Sequence, residues 1–158
     1  MGTRSDIIVQ RADGKFARVY CHWDGYLSHN GVMLATHYNS QELAEALVSL
    51  GDISTLGEVI GEKHDFDFRM KAIGREGYES DPEYIRLKAM CLYYGRDRGE
   101  EGTEALIFNT LAEAVTDLNE YTYIWSRTKP SGWFLLGGGG KMIPLVKAIK
   151  ADAAENAA

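Results

Sequence analysis

The run Cys21-His22-Trp23-Asp24-Gly25-Tyr26 places a thiol, an imidazole, an indole, a carboxylate and a phenol within six residues. His22 could act as an acid or base near neutral pH. Asp24 could orient it, and Trp23 and Tyr26 could stack on a planar ligand. The same residues read equally well as a strand end with the indole in the core and Asp24-Gly25 as turn residues. A second group is Gly95-Arg96-Asp97-Arg98-Gly99-Glu100. Two arginines on a glycine-flanked loop could fork onto phosphate or carboxylate oxygens. Asp97 and Glu100 would hold those guanidiniums or accept from a ligand. The competing reading is a solvated loop with local ion pairs, each worth at most ~1 kcal/mol.

Other reactive groups are less promising. In an extended His64-Asp65-Phe66-Asp67 segment, Asp65 and Asp67 would point the same way and His64 the other. A metal centre needs three or four converging ligands, and His22, His29 and His37 are too scattered to complete one. No metal and no cofactor is expected. Gly137-Gly138-Gly139-Gly140-Lys141 is no phosphate loop, because Leu135 and Met142 stand where that motif needs Gly and Ser/Thr. It reads as a flexible connector. Cys21 and His22 are strand neighbours that face opposite ways, so both thiols read as small buried hydrophobes.

The elements that must position these groups follow from periodicity. Residues 6–10 and 15–22 alternate and are joined through Asp13-Gly14, a two-residue hairpin signal. Ala17, Val19 and Cys21 make a core face, whereas Phe16, Arg18, Tyr20 and His22 make a mixed one. Asn30 caps a short helix through Tyr38, and Ser40 a better one with Leu43, Leu47 and Leu50 inward and Gly51 as the stop. Ser54 opens a further helical turn over 55–60, and 65–70 reads as a strand. Strict alternation over 85–94 predicts another strand, followed by a charged loop over 95–103 and a short strand over 105–108. Thr110-Leu111-Ala112-Glu113 is a capping box, with Leu111, Val115 and Leu118 on one helical face. Residues 121–127 and 132–136 form a second hairpin. Residues 142–150 form a terminal helix with Pro144 in its first turn, and 151–158 a frayed tail. The expected fold is α+β: one domain over 1–150, an antiparallel-rich sheet with helices packed on one face.

The 158 residues suit one domain and a core that needs no staples. Net charge is −6, from 23 acids and 17 bases. That opposes nonspecific nucleic-acid or anionic-membrane binding, both of which need a basic field. Two cysteines make no disulfide framework, no apolar run reaches the ~18 residues of a span, and the first residues lack the apolar core of a signal peptide. A reducing cytoplasm is the expected location. Symmetric dimerisation is the base-rate expectation.

Four segments, MGTRS at 1–5, YCHWDGY at 20–26, GDIS at 51–54 and GRDRGE at 95–100, together resemble a family of small proteins of bacteriophages and prophages, in the same order and up to about Trp133. A proline often follows WDGY in that family; here it is Leu27. The resemblance implies an accessory protein made in the host cytoplasm during infection or lysogeny, and carries over no catalytic residue. With the residues, it leads to a binder of a small anionic, nucleotide-like ligand or of a host protein, acting on the host or its defences. Trp23 and Tyr26 would stack, and Arg96, Arg98 and Arg4 would meet anionic oxygens, with Asp97 and Glu100 beside them. One alternative is a small hydrolase or transferase on a phosphorylated substrate, with His22 as acid or base and Asp24 as its orienter. Another is an interaction module using Tyr121, Tyr123, Trp125 and Trp133.

Overall fold

The computed structural model describes residues 2–157. Strands β1 (Ser5–Gln10) and β2 (Phe16–Cys21) form the expected antiparallel hairpin, pairing Ile7 with Val19 and Gln10 with Phe16. Its turn is longer than the Asp-Gly pair suggests. Only Gly14 takes positive φ (+86°); its amide donates to Arg11 O, and the Arg11 amide donates to Lys15 O. This is a three-residue loop with one left-handed position. Asp13 uses its carboxylate on the Lys15 amide (2.9 Å) and the Arg11 guanidinium.

The other edge of β1 pairs in parallel with β6 (Tyr121–Ser126), which is followed antiparallel by β7 (Gly132–Leu136) and β8 (Met142–Pro144). Two short strands share the outer edge of β2. The first, β3 (Ile53–Thr55), is parallel and meets Cys21; the second, β5 (Leu106–Phe108), is antiparallel and meets residues 16–18. Strand β4 (Leu92–Tyr93) lies antiparallel to β3 at the sheet's end. The result is a single α+β domain on a mixed, mostly antiparallel sheet of eight strands.

Helices α1 (Val32–His37), α2 (Gln41–Ser49) and α7 (Leu145–Ala157) supply the cover for the face that carries Ile7, Val9, Val19, Cys21 and Tyr123. Fully burying side chains such as Leu34 or Leu47 contributes about 1.5–3 kcal/mol each. The opposite face holds a smaller cluster of Ile8, Ala114 and Ile124, closed by α6 (Leu111–Ala114), Phe16 and Phe108. Thr110 caps α6 through the expected box, accepting from the Glu113 amide at 3.2 Å. Ser40 caps α2, accepting from Leu43 N at 3.1 Å, and Gly51 follows at φ +86°.

Several local expectations are overturned. In α2 the buried residues are Ala44, Leu47 and Val48, while Leu43 and Leu50 are exposed. Gln41 sets this rotation: its amide donates to Gln10 O (2.9 Å) and accepts from the Trp125 indole (2.7 Å). Residues 44 and 48, three and seven places on, are thereby turned toward the sheet. The first part of the alternating run at 85–94 belongs to helix α4 (Pro82–Lys88), because Asp81 caps it through the Glu83 amide and Pro82 sits in its first turn. Only Leu92 and Tyr93 remain extended. The charged loop after them begins as α5 (Tyr94–Arg98), and 65–70 gives way to α3 (Phe68–Ala72). Ser54 lies in β3 rather than starting a helix. Leu118 is 84% exposed, beyond the end of α6. The glycine run at 137–140 is the turn between β7 and β8, and α7 starts at Leu145 and continues to Ala157. No helix among the described residues is long and apolar enough to cross a membrane.

Candidate functional site

The chain leaving β2 passes the end of β3, where His22 N donates to Ile53 O and Trp23 N to Ser54 O (both 3.0 Å). Its rings stay near the surface. Trp23 is 42% exposed and meets the His22 ring edge-on at 4.6 Å; Tyr26 is 39% exposed. The proposed His22–Asp24 pair does not form. His22 Nδ1 shares a hydrogen bond with the Tyr20 hydroxyl, and Asp24 accepts from the Tyr26 hydroxyl at 3.0 Å. Asp24 adopts φ +57°, the one non-glycine at positive φ among the described residues. Such a conformation is stored at a cost and is concentrated at functional positions. The surroundings hold it: Asn30 N donates to Asp24 O (3.2 Å), and Gly25 is clamped between Thr3 O and the Tyr123 hydroxyl. A Cβ at Gly25 would lie 2.8 Å from Thr3 O, so this crossing admits only glycine.

The arginine segment is mostly scaffold. The Arg96 guanidinium donates to Asp97, Ile60 O, Gly61 O and Cys91 O at 2.9–3.2 Å, and lies 4.9 Å from the Tyr93 ring. An arginine has five N–H donors, and here all are directed at protein acceptors. Asp97 is buried and also accepts from Tyr93 N (2.8 Å) and His64 N (3.1 Å). Arg96 and Asp97 therefore fasten α5 to the 60–64 segment instead of facing a ligand. Arg98 is exposed, pairs with Glu100 and lies over the adjacent Phe66 and Tyr94 rings at 4.7 and 4.9 Å. The exposed Arg4 gives its backbone N–H to Glu120 (2.8 Å). Trp23 N reaches Ser54 O on one edge of β3, and Tyr94 N reaches Asp52 O on the other. The two segments thus flank β3 but leave it toward opposite ends. Of the rings of the third reading, Tyr123, Trp125 and Trp133 are core, at most 5% exposed, and Tyr121 is half-buried against them. The thiols are buried too, and burial pushes Cys21 up to about 12.

A different set of residues converges. Strands β2 and β3 run parallel, and beyond their carboxyl ends lies a cleft of about 500 Å³, a size suited to a small molecule. Such strand ends are a recurrent place for ligands in sheets with parallel strands. From the sheet side come Asp24, His29 and Glu58; from the layer of α3 and α4 come Arg69, Glu79 and Lys88. Gly57 lets the layers close, because a Cβ there would sit 2.5 Å from Ala89 O. None of these five charged side chains joins an ion pair among the described residues, whereas Lys71, Arg75, Arg86, Arg96 and Arg98 all do. Arg69 donates no side-chain hydrogen bond to the described residues, and its Nε is buried without a partner. Leaving such a donor unpaired costs about 1–3 kcal/mol.

His29 is held from behind. Asn30, expected as a helix cap, is instead fully buried in a π-helical turn (Leu27–Gly31). Its amide nitrogen lies 3.3 Å from Trp23 O, which can only accept, so that nitrogen is the donor. Asn30 Oδ1 is then the atom 2.8 Å from His29 Nδ1, and Nδ1 must carry the hydrogen. Nε2 is left as the acceptor, and it has no partner among the described residues. Sequence reasoning reached Asp24 but missed His29, Glu58, Arg69, Glu79 and Lys88, which belong to no motif and come from five separate elements or turns. Among the described residues no three of His, Cys, Asp and Glu converge as a cation site. Compared with known proteins, the chain matches no family model, no curated protein and no solved structure.

Proposed function

We propose that this protein binds a small anionic ligand in the cleft beyond β2 and β3. The observation that carries this is the contrast between two arginines. Arg96 has its donors occupied by the protein, while Arg69 lines the cleft with Nε buried and unpaired. An unpaired guanidinium beside Lys88 suits a phosphate or carboxylate. The GTRS, YCHWDGY and GRDRGE resemblance supports placing this binding in a phage-infected or lysogenic cell, where the protein would withdraw a host metabolite or signal. The test is extraction of small molecules from the purified protein, read by mass spectrometry. Arg69→Ala should abolish retention of an anionic compound without lowering the melting temperature of the ligand-free protein, because no hydrogen bond is lost and a buried unpaired donor is removed. Arg98→Ala should leave retention intact. Retention that depends on Arg98 and not on Arg69 would overturn the assignment.

A further inference from the structure

Both cations of the cleft come from one layer, where Glu79 is the only charged acceptor among the lining residues, and the sheet side supplies acceptors alone. Arg69 and Lys88, both on the α3–α4 side, can only donate. Asp24 and Glu58, on the sheet side, only accept when ionised, and the Asn30 contact fixes His29 with Nε2 as an acceptor. We infer that the ligand carries an amino group at the end away from its anionic group, and that His29 Nε2 is the atom that accepts from it. This rests on the anion-binding reading of the same cleft. The class is a small phosphorylated molecule with an amino group across from the phosphate. Nucleoside monophosphates with amino-bearing bases belong to it, and so do aliphatic amine phosphates.

The tautomer gives the inference its discriminating power. A free acceptor lone pair welcomes an exocyclic amino group and meets a keto oxygen lone pair to lone pair. A neutral hydrogen bond gained in one case and left unmade in the other separates ligands by about tenfold. Replacing His29 should erase that discrimination without touching the anionic end. His29→Gln serves beside His29→Ala, because its amide can present either a donor or an acceptor while filling similar space.

Calorimetric titration of the purified protein with inorganic phosphate, AMP, CMP, IMP, UMP and phosphoethanolamine tests this. AMP and CMP should bind about tenfold or more tightly than IMP and UMP. Both His29 variants should bring the four within about twofold while phosphate affinity stays constant. Tight phosphoethanolamine binding, lost with His29, would support the inference and identify an aliphatic amine as the source. Equal binding of amino and keto nucleotides by the wild type, or a preference that survives both variants, would overturn it and leave the anion site standing. Phosphate binding that is absent, or unchanged by Arg69→Ala, would remove the anion site and the inference together.

Discussion

Replacing Arg96 by alanine is expected to cost stability rather than merely surface charge. The guanidinium is 13% exposed and the partner carboxylate of Asp97 0%. Removal strips Ile60 O, Gly61 O and Cys91 O of a donor and leaves Asp97 with the backbone amides of Tyr93 and His64 and the His64 ring at 3.7 Å. Breaking a buried pair from one side costs about 3–5 kcal/mol. With a urea slope of about 2 kcal/mol/M, a loss of about 4 kcal/mol lowers the unfolding midpoint by about 2 M. Arg98→Ala is the control, since Arg98 and Glu100 are 49% and 42% exposed. An exposed pair with cation–π contacts is worth about 1–2 kcal/mol at most. Its midpoint should therefore move by less than about 1 M. Removing Asp97 as well should recover part of the Arg96 loss, because the stranded carboxylate goes with it. Equal midpoint shifts for the two arginine variants would refute the division into scaffold and surface.

Asp52 offers a pH test. Burial raises its carboxyl above the ordinary value, with Asp6 and Glu100 pushing the same way against the Tyr20 amide and Arg18. The folded chain holds this proton more tightly than the unfolded one, so stability falls as pH rises from the ordinary carboxylate value through the raised one. Asp52→Asn, whose side-chain oxygen can still accept from the Tyr20 amide, should melt above the wild type at pH 7 and level with it at pH 3. Melts at both values check this, and a variant that melts lower at pH 7 contradicts it. The thiols give a third prediction. Cys21 and Cys91 are both fully buried, and burial raises both. A thiol-specific chromogenic reagent should titrate neither in the native protein at neutral pH and both in denaturant; rapid native labelling of either would be inconsistent with that burial.

Alternation was legible wherever one sheet face is core and the other is not. That is why β2 could be read, and why Ala17, Val19 and Cys21 were correctly set apart from Phe16, Arg18 and Tyr20; β1 and β6, buried on both faces, were legible through their β-branched and aromatic residues. The capping residues Ser40 and Thr110 were legible because a cap is local chemistry. The run from Ile85 to Tyr93 misled because its period of two is incidental: Ile85 is 53% exposed, and the Asp81-Pro82 start outweighs the alternation. Strand β3 has three residues and exists because the end of β2 is there to pair with, which no local pattern can announce. Of the dense hexapeptide, Asp24 lines the cleft, while His22 turns to the Tyr20 hydroxyl instead. The choice between His22 and His29 depends on what stands behind each ring, and Asn30 becomes an orienter only once it is buried against Ser5, Cys21 and Trp23 O.

The parallel pairing of β1 with β6, Ser5 opposite Tyr121, bears on how the chain matures. On the ribosome β1 precedes all other strands of the sheet, yet its second neighbour is not yet translated. At ~5–20 residues per second the wait is roughly 6–23 s. The hairpin with β2 can shield one side of Ile7 and Val9 in that interval, but the other side presents open strand backbone to any passing nascent chain. Completion of the central part of the sheet therefore waits for β6, late in translation.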